Sequence, residues 1–183
     1  IVDGTGLTDI TVDTQSDFNI ANFSIIGKGR NSSTVVINGD DYNIVIEDCR
    51  IYEAGTGIFL GKSSGIIDNI ILGDCDYGIL TFCFPDTCHA KISNSIIVLD
   101  GDGSIPTGIN IFDGGNPTIL NNIIIGNSSA VYGVSVLYDV KTNVIKNNDI
   151  SGFSNNLNNI DGTDTTIVHN NTSRIGLSLI LEE

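Results

Sequence analysis

The 183-residue sequence has no methionine and no tryptophan, three prolines, and eight lysines and arginines against 22 aspartates and glutamates. The resulting net charge of −14 argues against a nucleic-acid partner, whose phosphates need a basic face, and against docking on anionic lipid. An acidic polymer would approach only across bridging cations. No apolar run nears the ~18 residues of a membrane-spanning helix. Nor does any stretch of helical length keep a 3.6-residue apolar period, which excludes a leucine-rich repeat with its helical leg. Without tryptophan the aromatic platforms left for a sugar ring are Tyr52, Tyr77 and Phe59. The absence of methionine, with isoleucine first, implies a removed leader or a domain of a longer chain.

Cysteine is scarce but even in number, at four. Cys83 and Cys88 flank a turn-like Phe84-Pro85-Asp86-Thr87 that one disulfide would close. Cys49 and Cys75 read as buried thiols or as a second bridge. Paired C-x-x-C spacing is missing, so zinc is the weaker reading, and an extracellular location is expected.

What the chain does have is a repeat. Asn22, Asp48, Asp68, Asn94, Asn121, Asn147 and Asn170 each stand three residues before Ile25, Ile51, Ile71, Ile97, Ile124, Ile150 and Ser173, at steps of 26, 20, 26, 27, 26 and 23 residues. Such a period marks a solenoid. A second repeat runs in step: Gly57, Gly78, Gly108 and Gly133 each open a short, largely apolar run, with Thr34-Val35-Val36-Ile37 in the same place. Each coil therefore offers at least two short strands. These pair with the next coil about 4.8 Å away, and stacked Ile and Val build a dry interior. Asn suits the corner because it tolerates left-handed backbone and its amide bonds along a ladder of its own kind.

On these repeats the chain resembles the right-handed parallel β-helix proteins of the pectin-lyase-like superfamily. The expectation is an all-β, single-domain parallel β-helix over 1–183, of about seven coils. Its divisions fall near 1–16, 17–41, 42–65, 66–89, 90–116, 117–143, 144–166 and 167–183, with no evident end caps.

The resemblance implies a test for activity. A polygalacturonase-like hydrolase carries Asn-Thr-Asp, Asp-Asp, Gly-His-Gly and Arg-Ile-Lys segments, and only Asp40-Asp41 matches. A pectate-lyase-like site needs several aspartates holding calcium beside a basic residue, and Arg50 alone lies near the Asp48/Asp68 corner. Placed at equivalent corners, Asp48 and Asp68 would bring their carboxylates to roughly 5 Å, the separation of the pair in retaining glycosidases. Asp also replaces Asn freely at such turns, and that structural role is the stronger expectation. No catalytic residue is assigned. Asp74 and Asp76, and the half calcium-loop Asp100-Gly101-Asp102-Gly103, are calcium candidates without a full ligand set. His89 and His169 have no recognisable partner. Of five N-x-S/T sequons, Asn31 and Asn127 are the better acceptors because Asn22 and Asn170 belong to the corner ladder.

The expected role is a non-catalytic extracellular structural or assembly module, a subunit of a surface filament or layer or a stalk or adhesin segment. It would associate end to end or with flanking domains, through Ile1, Val2, Ile10 and Val12 at one end and Leu177, Leu179, Ile180 and Leu181 at the other. The alternative is a polysaccharide lyase or glycoside hydrolase. Carbohydrate is the ligand class this leaves open, with no cofactor beyond calcium.

Overall fold

The computed structural model describes residues 2–3, 10–14, 16–27, 35–40, 43–62, 64–82, 89–100, 105–112, 116–127, 129–137, 143–159 and 165–168. Among them there are strands and turns and no helix. The chain winds through β1 (Val2–Asp3) and β2 (Ile10–Thr14), then β3 (Phe18–Ala21), β4 (Ser24–Ile26) and β5 (Val35–Asp40). The next two circuits have two strands each: β6 (Ile44–Glu47) with β7 (Arg50–Gly61), and β8 (Gly65–Asp68) with β9 (Ile71–Phe82). There follow β10 (Ala90–Ser93), β11 (Ile96–Leu99) and β12 (Thr107–Phe112), and then β13 (Thr118–Leu120), β14 (Ile123–Gly126) and β15 (Tyr132–Leu137). The described chain closes with β16 (Asn143–Lys146), β17 (Asp149–Ser151), β18 (Asn155–Asn159) and β19 (Thr165–Val168).

Every strand pairs in parallel with its counterpart one circuit away, making three faces of a solenoid. The first face is the seven-stranded sheet β3-β6-β8-β10-β13-β16-β19. Among the described residues it delimits six complete circuits, against the seven or so expected over the whole chain. The second face runs β1-β4-β7-β9-β11-β14-β17, and the third joins β2, β5, the later halves of β7 and β9, β12, β15 and β18. The third face also carries the glycine ladder Gly57, Gly78, Gly108 and Gly133. A Cβ on Gly108 would meet Gly133 O at 2.5 Å and Ile124 Cγ2 at 2.6 Å, so the close approach of adjacent coils requires the missing side chain.

Because side chains alternate across a strand, alternate residues of each face stack in inward ladders. The first contributes Ile20, Ile46, Ile67, Ile92, Ile119 and Ile145, and the second Ile25, Ile51, Leu72, Ile97, Ile124 and Ile150. All are buried. At about 1.5–3 kcal/mol for each fully buried aliphatic side chain, these ladders are the main force holding the rungs together. A single circuit would have only one covered side.

The first corner is turned by Asn22, Asp48, Asn69, Asn94, Asn121 and Asn147, with φ between 51° and 63°. This corrects the sequence reading by one residue in the fourth circuit. Asn69, not Asp68, takes the left-handed position, and Asp68 ends β8 in register with Glu47 and Ser93. In the same slip, Ile71 moves from the expected interior to the outer surface, and Leu72 replaces it inside. A shift of one residue exchanges the faces of a strand.

The interior beside this corner is also not uniformly apolar. Cys49, Ile70, Ser95, Asn122 and Asn148 follow the corner residues and are all buried. Asn122 Nδ2 donates to Ile92 O at 3.1 Å and to Asn148 Oδ1 at 3.0 Å, while its Oδ1 accepts from Ser95 N at 3.0 Å. Ser95 Oγ donates to Ser93 O at 2.7 Å and accepts from Ile70 N at 3.2 Å. A polar seam thus runs up one edge of the hydrophobic interior, with its hydrogen bonds supplied from rung to rung.

Candidate functional site

The acids singled out from the sequence are held in this outer framework. Asp48 Oδ1 accepts from Asn69 Nδ2 at 2.5 Å, and Asp68 Oδ1 accepts from Ser93 Oγ at 2.5 Å and Asn94 Nδ2 at 2.8 Å. Beyond them Asn121 Nδ2 donates to Asn94 Oδ1, and Asn147 Nδ2 to Asn121 Oδ1, at 3.4 and 3.3 Å. The two aspartates are therefore members of adjoining ladders, not an equivalent pair. Arg50 is exposed on the second face, in register with Ser24 and Ile71.

Asp74 has φ 54° and turns the second corner together with Glu53 at φ 58°, while Asp76 lies further along β9. Asp100 accepts from Asn127 Nδ2 at 2.7 Å. Among the described residues no three His, Cys, Asp or Glu side chains converge as a metal site. Asp102, Asn31, Ile1, His169, Asn170, the Cys83–Cys88 pair and Leu177 to Leu181 lie outside the described residues. Val2 and Ile10 belong to β1 and β2, and Val12 packs half-buried against the core. Asn127 is engaged on both sides of its amide, since Oδ1 also accepts from Ser129 N and Ala130 N. His89 is exposed, and its backbone N–H donates to Ser64 Oγ.

Cys49 and Cys75 are buried thiols outside any disulfide. Cys49 Sγ lies 3.2 Å from Glu47 O, and Cys75 Sγ lies 3.2 Å from Gly73 O. Burial pushes the Cys49 thiol above its ordinary pKa; backbone hydrogen bonds from Phe23 oppose this, and the nearby Asp48 charge adds to it.

A concave feature with a built wall lies elsewhere, on the outside of the third face. Three outward ladders converge there: Thr56 with Tyr77, Phe59 with Leu80 and Asn110, and Phe82 with Phe112. Together they line a groove of about 390 Å³. The Phe82 and Phe112 rings stack at 5.6 Å between centroids and 29° between planes, a geometry aromatic pairs favour. Asn110 Oδ1 is buried and accepts no hydrogen bond, an uncompensated polar atom in this wall. Among the described residues the wall offers an apolar platform, one phenol, one hydroxyl and one amide, and neither a carboxylate nor an amine.

Tyr77 and Phe59 were singled out from the sequence, and Tyr52 with them, but Tyr52 faces out from the second face. Leu80, Phe82, Asn110 and Phe112 were not anticipated. The available signal was the alternation after each ladder glycine, which turns Phe59, Leu80 and Asn110 outward in consecutive circuits.

No curated protein and no solved structure matches the chain. The sequence description of the family called Right handed beta helix region matches residues 8–173. With parallel rungs running through that span, the chain belongs to the right-handed β-helix family.

Proposed function

We propose that this β-helix is a non-catalytic extracellular structural or assembly module, a subunit of a surface filament or layer or a segment of a stalk or adhesin. The observation that carries the reading is the division of labour among its polar groups. Asp48 and Asp68 accept hydrogen bonds within the rung framework, and among the described residues the groove wall carries no acid or base. Lyase and hydrolase chemistry both need a proton acceptor or donor at the reacting atom. Growth would proceed end to end through the terminal rungs, because a parallel strand with a free edge is a template for another. Negative-stain microscopy with light scattering tests this: filaments or arrays, lost in Leu179→Asp, are expected, and a monomer at all concentrations would overturn it.

The groove favours a second reading, a polysaccharide ligand, because the apolar faces of sugar rings stack on Tyr and Phe. The expected result with a panel of acidic and neutral polysaccharides is retention without turnover, weakened by Phe59→Ala, with and without calcium. Release of reducing or unsaturated ends would favour the lyase or hydrolase instead. An extracellular location fits a Cys83–Cys88 bridge and a glycan at Asn31. Asn127 is the poorer acceptor, because its amide is already committed.

A further inference from the structure

The outward ladders of the second face form a surface of a different kind. In five consecutive rungs one column reads Arg50, Ile71, Ile96, Ile123 and Asp149, each in register with the next. The column beside it reads Tyr52, Gly73, Val98, Ile125 and Ser151. Ile123 is 39% exposed, and Ile71, Ile96, Val98 and Ile125 are half-buried. A Cβ on Gly73 would lie 3.2 Å from Tyr52 Cδ1, so the tyrosine ring covers the gap in the second column. The result is a β-branched sheet face with opposite charges at its two ends, beginning with an arginine in a chain that has few basic residues.

We propose that this face is an interface with a second copy of the same chain, related by a two-fold axis that runs along the strands through Ile96. Ile96 is the centre of the column, with Arg50 two rungs to one side and Asp149 two rungs to the other, roughly 10 Å away each way at the spacing of paired strands. The rotation reverses the column. It sets Arg50 against the second copy's Asp149, Ile71 against its Ile123, and Ile96 against its own equivalent. In the neighbouring column it lays the second copy's Ile125 at the level of Gly73, against the Tyr52 ring. The other in-plane axis, along the solenoid, would exchange the two columns and leave both charges facing uncharged neighbours.

A ladder of branched side chains at one rung spacing interdigitates best with a surface of the same period. A second copy supplies that period together with the matching charges. The contact is isologous and closes on itself, so it yields a dimer and no fibre. It is thus separate from end-to-end growth and does not depend on it. The footprint spans only about five rungs, at the small end of specific interfaces, so association in the micromolar range is expected.

Sedimentation velocity and equilibrium of the full chain, from about 1 to 200 µM, brackets that range. In a Leu179→Asp background, which removes end-to-end growth, the chain should move from monomer to dimer with concentration. Ile96→Asp, which opposes two carboxylates on the axis, should stay monomeric with an unchanged circular dichroism spectrum, and so should Ile123→Asp if the first variant folds poorly. Arg50→Asp and Asp149→Arg alone should each weaken the dimer by roughly tenfold or more, and the double exchange should restore it. A Leu179→Asp chain that stays monomeric at the highest concentration overturns the proposal. So does a dimer indifferent to the aspartate variants, or a charge exchange that rescues nothing.

Discussion

Asn121 and Asn122 are adjacent and chemically identical, and the structure predicts that they respond to substitution in opposite ways. Asn121 is exposed, has φ 57°, and makes ladder bonds of 3.4 and 3.3 Å. Replacing it by Ala forfeits two long exposed bonds and the polar side chain that lets Asn tolerate left-handed backbone, at about 1–2 kcal/mol. Replacement by Gly relieves that conformation and should stay within about 0.5 kcal/mol of wild type. Asn122 is 1% exposed and makes three side-chain bonds inside the solenoid. In Asn122→Ala the buried Ser95 N–H loses its acceptor, and Ile92 O and Asn148 Oδ1 each lose a donor. One orphaned buried donor and two weakened acceptors amount to about 3–5 kcal/mol. For a domain of ordinary stability that is a large share of the total. Urea unfolding followed by circular dichroism, with the slope checked for constancy, would give the ranking Asn122→Ala far below Asn121→Ala, and Asn121→Gly near wild type. Exchange of the Ser95 amide should accelerate in Asn122→Ala and remain slow in Asn121→Gly. If Asn121→Ala proves the more damaging variant, the inner seam is not what fixes this corner.

Two further outcomes follow from the interior. Ile119→Ala removes a fully buried member of the first inward ladder and should cost about 3–4 kcal/mol, read as a lowered urea midpoint. Cys49 should resist iodoacetamide in the native protein at neutral pH and react only on unfolding. Because burial raises its folded-state pKa above the ordinary thiol value, the neutral thiol's contribution is fully present up to that ordinary value. It is lost as pH climbs through the raised value, so stability should fall on the alkaline side.

The sequence made the rungs legible because three signals agreed: a recurrent Asn or Asp corner, an isoleucine three residues on, and a ladder glycine. Where one signal was ambiguous, the reading slipped. Asp68-Asn69 offers two residues able to turn the corner, and Ile70-Ile71-Leu72 has no polar residue to say which side chain points inward. The inner seam was visible as Asn-Asn pairs at 121–122 and 147–148, but a polar interior ran against the expectation of a dry one. The groove was the hardest to see. Its wall takes alternate residues from strands 20 to 30 positions apart, and their alignment depends on how much chain each circuit spends between strands. No periodicity in one strand encodes that.

Successive first corners lie 26, 21, 25, 27 and 26 residues apart from Asn22 to Asn147, yet every circuit closes on the same ladders. The difference is absorbed between the third and first faces, where β7 leads into β8 by a short link from Gly61 to Gly65 and β9 into β10 by a longer one from Phe82 to Ala90, and between the second and third faces. There β7 and β9 bend within one continuous strand, whereas β11 ends at Leu99 and β12 begins only at Thr107. Residues gained or lost at that bend leave the inward isoleucines and the corner asparagines untouched, and they fall beside the aromatic groove. The architecture therefore separates heritable variation from structural risk. Segments next to the surface most suited to recognition can be lengthened, shortened or exchanged one circuit at a time, while the part of the chain that carries stability stays under an unchanging constraint.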